Sequence, residues 1–238
     1  MGIFGSKFEV WIPENEKLKE KIEDPAQWDA KESFVGWKVC NDGKLLAQGM
    51  AAADGCGSFD FSFNGLGDNE AIAIAKTLTN LLKFRHAAKE PGGISGKITK
   101  LNLANNFIHA AGVKAIADAL VPEDPRTTYS LEELDLQNNA AGAEGAMALG
   151  EMMKKNRVLR KLNLAWNNIG NQGIFALAKS LQPNHKSFRM DIRYNTFDVT
   201  DEEIEWDEMV KHLKQNIGKE NIPVVLIGWD ETDLYKLL

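Results

Sequence analysis

One pattern recurs five times along the chain. Phe59–Leu66, Leu101–Ile108, Leu134–Ala141 and Leu162–Ile169 all read apolar-x-apolar-x-x-Asn-x-apolar, and Met190–Phe197 is a more divergent fifth copy. The aligned asparagines are Asn64, Asn106, Asn139, Asn167 and Asn195, spaced 42, 33, 28 and 28 residues apart. A period of this length makes each unit one supersecondary element. One such element cannot bury its own apolar face, so neighbours must stack.

The second half of each unit repeats as well. Ten and fourteen residues after the Asn come Ile74 and Leu78, Ile116 and Leu120, Leu149 and Met153, Leu177 and Leu181. Six residues after it comes Gly112, Gly145 or Gly173, with Glu70 in the first unit. Apolar positions four apart on Ala-rich segments predict one face of a helix. Each unit therefore reads as a short strand, a turn and a helix.

This pattern resembles the leucine-rich repeat family over roughly residues 56–197, and the long unit is similar to its ribonuclease-inhibitor-like class. The resemblance implies an α/β fold: a short curved solenoid with parallel strands on the concave face and helices on the convex face. It also implies that Asn64, Asn106, Asn139, Asn167 and Asn195 form a ladder, each side chain bonding backbone groups of adjacent turns. The need is physical, because a buried unpaired polar group costs about 1–3 kcal/mol.

A solenoid of five repeats needs caps. Residues 1–55 are expected to cap the N-terminal end, with a hairpin of Phe34–Cys40 and Lys44–Ala47 around Asn41-Asp42-Gly43. Residues 198–238 are expected to cap the other end. There Asp201–Asn216 reads as a helix with Ile204, Met209 and Leu213 inward, and Pro223–Trp229 as a last strand. Leu234, Leu237 and Leu238 close the core behind it in this reading. Relative to the 28-residue unit, insertions of 14 and 5 residues read as loops over residues 85–97 and near 121–128.

The charge belongs to one of these ends. The whole chain carries 28 Lys and Arg against 34 Asp and Glu, for −6. Residues 198–238 hold eleven acids and four bases, so residues 1–197 are close to neutral at +1. Acids in the first turns of the cap helix suit the helix dipole, and the same surface suits a basic partner. A mildly acidic chain does not match a nucleic-acid-binding surface. No apolar run reaches transmembrane length and no secretory signal is visible. Cys40 and Cys56 are too few for a disulfide framework, and no Asn-x-Ser/Thr site occurs. A cytoplasmic location follows, membrane-associated if Gly2 is lipidated.

Catalytic signatures are absent from the sequence. Gly92-Gly-Ile-Ser-Gly96-Lys97 has three residues between its outer glycines where a phosphate loop needs four, and Ile98 follows the Lys. His86, His109, His185 and His212 have no partner at metal-ligand spacing. No enzyme activity, cofactor or metal is expected.

The strand face is more informative. Alternation sends the apolar residues inward and the intervening ones outward. Stacking in register aligns Asp60, Asn102, Asp135, Asn163 and Asp191 in a central acid-and-amide column. Ser62, Ala104, Gln137, Ala165 and Arg193 run on one side of it, and Ser58, Lys100, Glu133, Lys161 and Arg189 on the other. Just past the strands come Phe63, Asn105, Asn138, Trp166 and Tyr194. The acids favour a partner bearing Lys or Arg. Aromatic and Arg side chains are enriched in interface hot spots. The expected partner-binding set is Trp166, Tyr194, Arg193, Arg189, Asp135, Asp191, Glu133 and Phe63, and shielding of the turns is the alternative role for Trp166 and Tyr194.

The expected function is a non-enzymatic scaffold binding another protein, since ribonuclease-inhibitor-like repeats are typically protein-binding platforms. The alternative is a peripheral membrane tether: Met1-Gly2-Ile-Phe-Gly-Ser6-Lys7 fits the N-myristoylation pattern at Gly2. GTPase activation and a subunit role in a large assembly are further alternatives.

Overall fold

The computed structural model describes residues 58–87, 98–121, 131–185, 188–196, 206–218 and 226–227, with side chains for all but 80–87 and 226–227. The expected N-terminal hairpin, Gly2, Cys40, Cys56, Ile204 and residues 234–238 lie outside them.

Within the described residues, strands and helices alternate. β1 (Ser58–Asp60) leads to α1 (Asp68–Ala87), β2 (Lys100–Asn102) to α2 (Ala110–Ala119), and β3 (Glu133–Asp135) to α3 (Gly142–Met153). β4 (Lys161–Asn163) leads to α4 (Gly170–Ser180), and β5 (Arg189–Asp191), α5 (Trp206–Asn216) and β6 (Leu226–Ile227) follow. The sheet is wholly parallel with strands in chain order, β1 to β6. This is the α/β solenoid expected of stacked repeats. The helices pack in the same order on the other side, each against the next.

The register is that of the sequence pattern. Phe59, Leu101, Leu134, Leu162 and Met190 are successive partners across the sheet. Met190 in turn pairs with Leu226. All five are buried, as are the helix-face pairs from Ile74 and Leu78 through Leu177 and Leu181. Strand and helix residues thus form one continuous core between the layers.

Two features explain how close the layers can come. A Cβ on Gly112 would lie 2.7 Å from both Asp68 Oδ1 and Ile108 Cγ2, and one on Gly173 would lie 2.9 Å from Ala146 Cβ. The recurrent glycine therefore marks the contact between adjacent helices. Secondly, Asp68 at the start of α1 caps α2 rather than its own helix. Its Oδ1 accepts the backbone N–H groups of His109 and Gly112 at 2.8 and 2.9 Å. Satisfying the orphan donors of a helix N-terminus from the preceding repeat ties the two units together.

The asparagine ladder has the geometry the resemblance implies. Asn106 Oδ1 accepts from Asn64 N and Leu66 N, both at 3.0 Å, while its Nδ2 donates to Phe61 O and Leu103 O. Asn139, Asn167 and Asn195 repeat the arrangement on the turn before each of them. Asn64, the first rung, donates to Ser62 O, and its buried Oδ1 has no hydrogen-bond partner among the described residues. A second buried amide, Asn156, is not visible in the pattern. It accepts from Val158 N and Leu159 N and donates to Leu120 O, closing the connection from α3 to β4.

The insertion over 85–97 is not all loop: Arg85, His86 and Ala87 are the last residues of α1, a helix of 20 residues. The helix expected over Asp201–Asn216 is described from Trp206, with Met209 and Leu213 buried, and Leu226–Ile227 lies in the expected final strand.

Candidate functional site

The outward residues of the strands line a shallow groove of ≈ 440 Å³ bounded by β1 at one end and Arg189 and Asp191 at the other. Its charges pair across strands. Lys100 and Lys161, on the strands either side of Glu133, both reach Glu133 Oε1 at 3.2 Å. Partial burial raises the Glu133 carboxyl, and the two lysines outweigh it, holding the group below the usual glutamate value. Arg193 chelates Asp191, with Nε 3.0 Å from both carboxylate oxygens. That bond raises the guanidinium further above its ordinary value.

The acid-and-amide column has a local cause. Asp60, Asn102, Asp135, Asn163 and Asp191 each turn Oδ1 onto the backbone N–H two residues on, at 2.9–3.1 Å. These are Asx turns, which need a short side chain with an oxygen at that position and accept Asp or Asn alike. The alternation of charge is a separate matter. Asp135 Oδ2 also accepts from Asn163 Nδ2 at 3.2 Å, and Asn163 Nδ2 reaches Gln137 Oε1 at 3.0 Å. Four acids and four bases (Asp60, Glu133, Asp135 and Asp191 against Lys100, Lys161, Arg189 and Arg193) leave this face without net charge.

The residues just past the strands share one backbone state. Phe63, Asn105, Asn138, Trp166 and Tyr194 have φ of 58°, 57°, 51°, 59° and 60°. This left-handed region suits Asn, whereas a bulky residue there is an outlier that costs roughly 1–2 kcal/mol. Each repeat needs the conformation, because it swings the chain from the strand toward the ladder Asn. Two repeats use Asn, and three use an aromatic. The three aromatics are also exposed, at 70% for Phe63, 53% for Trp166 and 63% for Tyr194. Trp166 and Tyr194 stack, ring centroids 4.5 Å apart and planes 18° from parallel. In the middle of the row Asn138 Nδ2 donates to Asn105 Oδ1 at 2.9 Å.

Trp166, Tyr194 and Arg193 thus stand together at one end of the row, with Asp191 held by Arg193. Glu133 and Asp135 lie on the central strand β3 and Arg189 on β5, its Nη1 donating to Phe188 O. Phe63 stands at the far end of the same row. What the sequence pattern missed is the shared left-handed backbone. Its signal was present in the doubled Asn105-Asn106 and Asn138-Asn139, where the first Asn of each pair is the non-glycine residue most tolerant of that state.

The histidines are dispersed. His185 is buried, and its Nδ1 accepts from Gln182 N at 2.9 Å, which leaves the proton on Nε2. Burial, aided by the charge of Arg157, lowers its pKa to about 4. Among the described residues no cluster of three His, Cys, Asp or Glu side chains is placed to hold a metal ion. No helix among them is long and apolar enough to cross a membrane.

The match to a family model agrees with this architecture. A family model described as Leucine Rich repeat matches residues 97–117, 130–150 and 155–178. A solved structure titled Leiomodin-1 Actin-Binding Site 2 (ABS2) is similar at 25% identity, over 60% of this chain and 74% of that one, with a TM-score of 0.39. No curated protein matches the sequence. The three matched segments run from β2 into α2, from β3 into α3 and from β4 into α4 in one shared register, and over them the chain is similar to that family.

Proposed function

We propose that this chain is a non-enzymatic platform that binds another protein through its strand face and the adjoining row of turns. The observation that carries the reading is the row itself. Three of its five positions hold an exposed aromatic in a backbone state that Asn adopts at lower cost. Residues kept against local stability are a signature of function. The stacked Trp166–Tyr194 pair, with Arg193 beside it, has the composition of an interaction hot spot. Glu133, Asp135 and Asp191 would supply polar contacts at its rim, and Phe63 a second apolar anchor.

The test is affinity purification from the native source with wild type and with the double variant Trp166→Ala/Tyr194→Ala, both checked for native melting. The proposal expects at least one stoichiometric partner to fall tenfold or more with the variant. Equal recovery of every partner would remove the assignment while leaving the fold untouched.

The sequence pattern at Gly2 supports a second element, a myristoyl anchor that would bring the platform to a membrane. One such chain gives only marginal, reversible binding. Intact mass of native protein decides it: loss of Met1 with gain of one myristoyl group supports the anchor, and an unmodified Met1 removes it.

A further inference from the structure

We infer that the ligand of the turn row is an uncharged, proline-rich segment of the partner in polyproline-II conformation. This rests on the platform reading above and adds to it the chemistry of the occupant.

The first observation concerns backbone donors. A partner strand could be held by ladder hydrogen bonds along the row only if its positions offered free N–H groups, and four of the five do not. Phe63, Asn105, Asn138 and Trp166 donate their N–H groups to Ala104 O, Gln137 O, Ala165 O and Arg193 O at 2.8–3.1 Å. Recognition along the row therefore falls to side chains. A ligand read that way gains most if its own backbone needs no ladder partner, and polyproline II has a fully solvated backbone with no internal hydrogen bonds.

The second is the side-chain inventory. The row carries Phe63 at one end, the stacked Trp166 and Tyr194 at the other, and two amides between. Proline rings dock on exposed aromatic surfaces in several peptide-binding modules. Asn138 Nδ2 is engaged with Asn105 Oδ1, and no bond occupies Asn105 Nδ2 among the described residues. That amide is left to donate. A proline-rich segment is rich in carbonyl acceptors and poor in N–H donors, so the polarity matches.

The third is length. Adjacent parallel strands are about 4.8 Å apart, so four steps from Phe63 to Tyr194 span about 19 Å. Polyproline II rises about 3.1 Å per residue, so about six residues cover the row.

The fourth is charge. Arg193 is chelated by Asp191, and Glu133 sits between Lys100 and Lys161. With four acids against four bases, several of them paired with one another, the surface offers neither net sign to a charged ligand.

The experiment titrates the full chain, labelled with ¹⁵N at tryptophan, with three blocked decapeptides: one of Pro and Leu only, one of Glu and Ser, one of Lys and Ser. The Trp166 indole signal is assigned by comparison with Trp166→Asn. The inference expects a saturable shift of that signal with the Pro-Leu peptide alone. The affinity should change less than twofold between 50 mM and 500 mM salt. Tyr194→Asn should weaken it at least tenfold and Phe63→Asn at least threefold, in variants whose melting shows them folded. Absence of a saturable shift overturns the inference. So does tighter binding of either charged peptide with a steep salt dependence, although the platform reading would then survive. Failure of the platform reading itself shows elsewhere, in undiminished partner recovery by Trp166→Ala/Tyr194→Ala.

Discussion

Phe63, Trp166 and Tyr194 occupy positions where the backbone asks for a left-handed residue and the chain answers with an aromatic ring. The magnitudes separate the three. Phe63 is 70% exposed, so Phe63→Asn relieves the strain with little packing lost and should stabilise the protein by about 1 kcal/mol. Denaturant unfolding would read this as a higher midpoint at unchanged slope; a lower midpoint would mean that the ring contributes to packing after all. Trp166→Asn should be nearly neutral, because the strain relieved is matched by a lost stack worth about 0.5–1.5 kcal/mol. Asn167→Ala behaves oppositely. Asn167 is fully buried, and truncation leaves Ala141 N without its acceptor and removes one of two donors to Leu136 O, which keeps Asn139 Nδ2. A loss of about 1–3 kcal/mol is expected, the cost of one unsatisfied buried group. The ladder was legible because its asparagines recur in register. The Asx turns were legible only as a column of acids and amides, since Asp and Asn share the one oxygen that the turn uses.

At the scale of elements, the recurrent helix glycine was visible in the sequence, but its cause was not, because the cause is a neighbour from another repeat. Gly112 and Gly145 hold equivalent positions with unequal room. A Cβ on Gly112 meets Asp68 Oδ1 at 2.7 Å, whereas one on Gly145 meets Ala141 Cβ at 3.1 Å and Val113 at 3.3 Å. Alanine gains about 1 kcal/mol over glycine within a helix. Gly145→Ala is therefore expected to be within about 0.5 kcal/mol of wild type, that gain offsetting a slight crowding. Gly112→Ala should lose about 1–3 kcal/mol, since it overpacks the contact and displaces the carboxylate that caps α2. Equilibrium unfolding of both variants checks the order, and equal effects would mean that the interface between α1 and α2 yields more readily than its distances imply. The capping by Asp68 could not be read locally, as cap and helix lie 41 residues apart in the chain. The loop expected over 85–97 erred for a related reason: an insertion marks where two repeats part, not whether the extra residues extend the helix before it.

The described residues form a one-dimensional stack, and most of its order follows from one repeated unit. The register of all five sequence copies agrees with the sheet, including the first and fifth, whose strands lie outside the segments matched by the repeat model. Those outer copies diverge where Phe replaces Leu, Glu70 replaces Gly, and Met190 and Ile192 line the strand. The function was less legible, because it depends on which outward residues are already paired with one another. Global stability also carries a pH signature. His185 is neutral and buried in the fold with a pKa of about 4, while an unfolded histidine titrates near 6.5. The unfolded state binds the proton first, so this contribution is complete above about pH 6.5 and is lost as pH falls toward 4. The slope is at most about 1.4 kcal/mol per pH unit. Urea unfolding between pH 4.5 and 7 should show the decline in wild type and a flatter profile in His185→Gln; parallel profiles would assign the dependence to other groups.

The central claim is that the strand-and-turn side receives the partner and the helical side does not. Photo-crosslinking in the native source tests it most directly, with a photoreactive residue placed singly at Gln137 on the strand side or at Gln172 on the exposed face of α4. The account predicts one dominant crosslinked protein from position 137, absent from position 172 and lost when Trp166 and Tyr194 are both replaced by Ala. The same protein crosslinking from position 172 and not from 137 would contradict it.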